Sequence, residues 1–185
     1  ISASAKNIWI NFEWKGSNTW LSIKDDGIGM NGEELVQAMR PGSKNPLKKR
    51  NEKDLGRFGL GLKTASFSQA RKLTVISKKV NYIPVYWTWD LDFVNKMGSW
   101  DLVKYLPDEN LKTEILKLES GTIVMWNDID RVVKDFNEDD TNAEYKFYQA
   151  MEQVKKHIAM VFHKFIEKGR VNIYFQNNRV IAWNP

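Results

Sequence analysis

Two short glycine clusters hold the residues most able to do chemistry: DDGIGM at Asp25 to Met30 and GRFGLG at Gly56 to Gly61. In the first, an alternating apolar run ends on Asp25, and Gly27 and Gly29 let the backbone turn and approach a flat ligand with no Cβ in the way. A carboxylate placed there accepts a hydrogen bond from an exocyclic amine. The second cluster has glycines at its first, fourth and sixth positions, ahead of a helical stretch. Unpaired backbone N–H groups and the positive end of a helix dipole favour phosphate oxygens at such a place. Directly upstream, Arg40 to Arg57 contains seven basic residues (Arg40, Lys44, Lys48, Lys49, Arg50, Lys53, Arg57) and two acids, a local excess equal to the whole chain's net charge of +5.

Other chemistries fit these residues less well. GIGMNG satisfies the dinucleotide pattern G-x-G-x-x-G, but the Asp25–Asp26 pair abuts the place of a pyrophosphate, and the position about 20 residues on falls in the basic stretch, not at a second strand's end. Gly56 to Thr64 resembles a Walker loop, except that Leu62 intervenes between Gly61 and Lys63 and redirects the lysine. Both clusters read as plain turns under a purely structural account. His157 and His163 lie six apart, on different faces of a helix, which argues against a metal pair.

The elements that must position these residues follow from periodicity. Ile8 to Trp14 and Thr19 to Asp25 alternate apolar and polar residues about a Lys15–Asn18 turn, an antiparallel hairpin. Asn31 stands at an N-cap with Glu34 three residues on, opening a short amphipathic helix that ends before Pro41. Arg40 to Gly56 reads as a loop, and loops of that length are usually functional. Helical spacing returns over Gly59 to Ala70; KLTVISK, YIPVYWTWDLDF and GTIVMWNDI have strand composition, and Leu111 to Leu118 forms a short helix. Apolar residues at spacings of three and four predict one long helix over Asn142 to Glu167, started by the acids Glu138 to Asp140. A hairpin about Asn177–Asn178 closes the chain. Eight tryptophans and six tyrosines supply core and sheet anchors. The interspersed elements lack regular βαβ alternation, so the expected class is α+β with a mixed or antiparallel sheet.

DDGIGM, a basic loop, LGRFGLGLKTAS and SGTIVMW, in that order, resemble the GHKL superfamily of ATPases, which includes gyrase, the heat-shock-ninety chaperones, MutL, sensor histidine kinases and MORC proteins. The resemblance covers about Ile1 to Asp128, and GSK at Gly42 to Lys44 with GLKTAS is most similar to the MORC-like and Hsp90-like branch. It implies a two-layer α/β sandwich of the Bergerat type with a mixed, mostly antiparallel sheet, binding ATP with Mg2+. Asp25 would hold the adenine amino group, Gly27, Gly29 and Met30 would border the base, and Thr122 would share an adenine-bound water. Ser43 and Lys44 of the lid would reach the terminal phosphates. Gly56, Arg57, Phe58, Gly59, Leu60, Gly61, Leu62 and Lys63 would wrap the phosphate tail. The family's general-base Glu and, four residues later, its magnesium-binding Asn are expected upstream of Ile1, leaving no catalytic or metal residue within this chain.

With 185 residues, 42% hydrophobic and 28% charged, the composition excludes disordered and collagen-like classes, and no apolar run reaches the roughly 18 residues of a membrane span. No cysteine is present, which removes disulfides, thiolate zinc sites and a cysteine nucleophile and permits a reducing compartment; the expected location is cytoplasmic. The start at Ile1 and the end at Asn184–Pro185 suggest a piece of a longer protein: an ATP-binding domain over 1–140, then 141–185 as its end or the start of a connection to a downstream domain. The expected function is an ATP-driven switch, hydrolytic in the full-length protein, in which nucleotide closes a lid and changes docking with that domain or with a second copy. The alternatives are a nucleic-acid-binding module, contacting DNA through the basic stretch, and a nucleotide-binding scaffold without turnover.

Overall fold

The computed structural model describes residues 1–40, 61–131 and 137–184. Its first hairpin is β1 (Asn7–Glu13) and β2 (Trp20–Asp25), followed by helix α1 (Gly32–Met39). The Asn31 side chain accepts from the Glu34 amide while the Glu34 carboxylate accepts from the Asn31 amide, the reciprocal cap that the spacing predicts. Helix α2 (Gly61–Phe67) leads into β3 (Ala70–Lys78), β4 (Val85–Asp90), helix α3 (Leu91–Met97), helix α4 (Asn110–Leu116) and β5 (Gly121–Ile129). The chain continues through α5 (Thr141–Val161), α6 (His163–Glu167), β6 (Asn172–Phe175) and β7 (Asn178–Arg179).

The seven strands make one sheet in the order β4-β3-β5-β2-β1-β6-β7, with β1 and β6 parallel and every other pair antiparallel. Because cross-strand partners share a face, the register reads as rows. Phe12, Leu21, Trp126, Leu73 and Trp89 form one row, and Ile10, Ile23, Val124, Val75 and Trp87 form the next. Helices α5 and α6 cover the β1–β6 half of this face through Phe147, Met151 and Ile166. Helices α1 and α3 cover the other half through Leu35, Met39 and Val94. Leu35 and Met39 are fully buried, so truncating either to alanine costs about 2–5 kcal/mol. On the opposite face, Leu111 and Ile115 of α4 pack on Ile76, Ile123 and Met125.

Three expectations change. The stretch Leu91 to Phe93 is not strand: Asp90, the last residue of β4, caps α3 by accepting from the amides of Asp92 and Phe93, and Gly98, at φ 67°, ends it. The long helix is two, divided at Phe162, and the apolar spacing runs through the break because Phe162, Phe165 and Ile166 stay on one core. The last turn is centred one residue earlier, on Gln176 and Asn177, whose φ values of 48° and 64° suit a two-residue hairpin loop.

Candidate functional site

The row beyond the two apolar rows is Ile8, Asp25, Thr122, Ser77 and Val85. It lies on the helix-covered face but is polar at its centre, so three side chains capable of hydrogen bonding point where a core would otherwise continue. The alternation of β2 explains this: Leu21, Ile23 and Asp25 face the same way, and the strand delivers a carboxylate to the end of a hydrophobic face.

Burial pushes the Asp25 carboxyl above its ordinary value of 3.8, and the Gly27 amide and the Ile1 ammonium only partly oppose this. Among the described residues no lysine or arginine side chain forms a salt bridge with Asp25. Its Oδ1 accepts from the Gly27 amide at 2.8 Å, shaping the turn that follows. Ser77 is fully buried; its Oγ lies 3.0 Å from the Gly121 carbonyl oxygen and 2.8 Å from Thr122 Oγ1, and it accepts from the Met30 amide at 2.9 Å. With the single Ser77 proton given to Gly121, the Thr122 hydroxyl donates to Ser77 and keeps its lone pairs for an incoming donor. Ser77 therefore ties together three segments that the sequence separates widely. Its missing signal is understandable, since only strand register brings it to Thr122.

Two glycines are fixed by close backbone approach. At Gly29, φ 61°, a Cβ would stand 1.9 Å from the Lys78 carbonyl oxygen; at Gly121, φ 157°, one would stand 2.2 Å from the carbonyl oxygen of Asp25. Ser120 Oγ donates to the Gly27 carbonyl at 2.7 Å, and Lys79, the residue after β3, pairs with Glu34 of α1 at 2.6 Å. A cavity of about 450 Å³ with a mixed lining that includes Asn11, Lys24 and Glu114 belongs to the opposite face near α4, whereas an apolar one of about 430 Å³ lies on the same face as Asp25, lined by Ile8, Ile10, Ile23, Ile158, Phe162 and the first three residues.

Of the expected nucleotide-binding residues, Asp25, Gly27, Gly29, Met30 and Thr122 are brought together at this sheet end. Gly61 begins α2 with no described residue within 4 Å of where its Cβ would stand, Leu62 packs on the α1 core, and Lys63, 4% exposed, donates to the Ala38 carbonyl at 2.8 Å at the α1 C-terminus. Ser43, Lys44, Gly56, Arg57, Phe58, Gly59 and Leu60, with most of the basic stretch, lie outside the described residues.

A model of the "Histidine kinase-, DNA gyrase B-, and HSP90-like ATPase" family matches residues 1–122. The chain belongs to this family. As a member of this ATPase family it is an ATP-binding module, and the resemblance read from its motifs is confirmed in its Hsp90-like aspect. It is similar to the chaperone protein HtpG of Helicobacter pylori, 33% identical over 142 residues, covering 70% of this chain and 22% of that protein. HtpG of Rickettsia canadensis is 27% identical over 193 residues, covering 99% of this chain and 28% of the relative. HtpG of Rickettsia typhi is 39% identical over 85 residues, 40% of this chain and 13% of the relative. The chain thus spans less than a third of the length of these curated relatives.

The Mg2+ expected with ATP has no ready shell here: among the described residues no group of three His, Cys, Asp or Glu is arranged to hold a metal ion. Nor is any helix among the described residues long and apolar enough to cross a membrane.

Proposed function

We propose that this chain is the ATP-binding part of an energy-transducing switch, and that the row of half-buried Asp25 with buried Thr122 and Ser77 is its adenine site. The observation that carries the reading is a carboxylate on a core-facing row with no side-chain cation paired to it among the described residues. Such a group is held ready for an external donor, and the adenine amino group supplies one. Thr122, with lone pairs spared by Ser77, accepts from a water shared with the base. Gly29 and Met30 border the ring. Gly56 to Lys63 wrap the phosphates, and Ser43 and Lys44 of the lid reach the terminal ones. Lys63 also anchors the α1 C-terminus, and in this reading its main task is to hold α2 and the phosphate turn against α1.

Hydrolysis in the full-length protein is proposed to use a Glu and a magnesium-binding Asn contributed from upstream of Ile1. The apolar cavity beside Ile8, Ile10 and Ile23, rimmed by Ile1 to Ala3, gives such a segment an apolar seat next to Asp25. ATP then closes the lid and changes how the module docks with a downstream domain or a second copy.

Calorimetric titration with ATP tests the base site. Asp25→Asn removes the charged acceptor and offers an amide in its place, so binding weakens about 10- to 100-fold, the range of hydrogen bonds to charged groups. Equal affinity in the two proteins would remove Asp25 from the site.

A further inference from the structure

The residue after the base-binding aspartate begins a second polar structure that nucleotide contact does not explain. Asp26 Oδ1 accepts from the amides of Lys6 and Asn7, each at 2.8 Å, and its Oδ2 accepts from Asn7 Nδ2 at 2.7 Å. Asn7 Oδ1 accepts from Asn172 Nδ2 at 3.1 Å, and Asn172 Oδ1 accepts from Arg179 Nη2 at 2.7 Å. Asn7 and Asn172 are direct partners on the parallel strands β1 and β6, and Arg179 lies on β7. The chain of contacts therefore runs from the last hairpin, across the sheet edge, to the turn that carries Asp25 and Gly27.

Its polarity is fixed at both ends. A guanidinium only donates and an ionised carboxylate only accepts, so both amides between them are forced into one orientation, with every donor pointing toward Asp26. Hydrogen bonds aligned in this way polarise one another. Although burial alone raises the Asp26 carboxyl, the hydrogen bonds from Asn7 and Lys6 outweigh it and hold the group below its ordinary value of 3.8. Asp26 stands between Asp25 and Gly27, whose amide holds the Asp25 carboxylate, so a turn of Asp26 moves both ends of that contact.

We infer that Asn7 and Asn172 are positioning residues for nucleotide binding, and that the Arg179–Asn172–Asn7–Asp26 relay couples the closing hairpin to the base site. The inference rests on the reading of Asp25 as the adenine carboxylate. By reciprocity, a hairpin that sets nucleotide affinity is itself tightened when nucleotide binds.

The test is ATP affinity in the full-length protein, with thermal unfolding of each nucleotide-free variant measured alongside. Asn172→Ala weakens ATP about three- to tenfold, while the nucleotide-free midpoint falls by no more than about 4 °C. Asn172→Asp weakens binding further, because the new carboxylate competes with Asp26 for the one Asn7 amide. Arg179→Met gives a smaller loss. Asn7→Ala combined with Asn172→Ala is no weaker than Asn7→Ala alone, since both act through one path. Bound ATP slows amide exchange in residues 172–179. If Asp25→Asn loses ATP while Asn172→Ala and Asn172→Asp bind it as tightly as the unaltered protein, the relay is overturned and the base site stands. If Asp25→Asn binds ATP normally, the base-site reading fails and the relay inference falls with it.

Discussion

The part of the sheet built from β2, β3, β4 and β5 has carboxylates at each of its two ends, and the two ends treat them in opposite ways. At the far end, Asp92 is held by Arg71, which pulls its carboxyl below the ordinary value, and Lys72 lies 2.8 Å from Asp128 and 3.8 Å from Asp90. At the near end, Asp25 is half-buried, raised above its ordinary value by desolvation, and has no such side-chain partner among the described residues. The far cluster is half-exposed and satisfied within the protein, as expected of charges that secure a strand edge. The near one accepts from the Gly27 amide but has no side-chain cation beside it among the described residues. A carboxylate that the fold keeps at its own expense is the stronger sign of a ligand.

Glycine substitutions break the comparison most severely. Gly29→Ala meets the Lys78 carbonyl in a left-handed backbone, and Gly121→Ala meets that of Asp25; each should destabilise by more than about 1 kcal/mol and abolish nucleotide binding, seen in thermal unfolding and ATP titration. Gly61→Ala, which meets nothing among the described residues, should leave stability unchanged or slightly improved by helix propensity.

Ser77→Ala comes next. It strips a partner from Met30, Gly121 and Thr122 together, and should cost about 1–3 kcal/mol in denaturant unfolding while loosening ATP.

The two aspartates then differ in sign. Asp25 has a folded value raised above the unfolded one, so its contribution to stability is full below that unfolded value and is lost as pH rises through the folded one. Asp25→Asn should therefore leave the nucleotide-free protein as stable at neutral pH, or more so. Asp92 has a lowered folded value; its contribution is present above the unfolded value and is lost as pH falls through the folded one. Asp92→Asn should cost only about 0.2–1 kcal/mol at neutral pH, the range of exposed ion pairs. Unfolding curves of the two variants across pH 2 to 7 compare them directly.

Much of the site was legible because its signals are local. The alternation through Leu21 and Ile23 aims Asp25 inward, and Asn31 with Glu34 spells the cap of α1. Gly121 to Trp126 reads as strand because it is apolar on both faces, with α4 behind it. Ser77 was not legible, since within Ala70 to Lys78 a serine looks like any small strand residue until Thr122 and Met30 are brought to it. Asn7 and Asn172 stayed hidden for the same reason: parallel pairing of β1 with β6 joins residues from opposite ends of the chain. The α3 helix was missed because Asp90 closes a strand and caps a helix at one position, and composition favours the strand.

The central claim, a half-buried carboxylate that takes the adenine amino group, is tested most directly by following the Asp25 side-chain carboxyl carbon by NMR through an acid titration, with and without ATP. The account predicts a midpoint above 3.8 in the free protein that falls when ATP is bound, because the amino group stabilises the charged form. A free midpoint at or below 3.8, or one that ATP leaves in place, would contradict it.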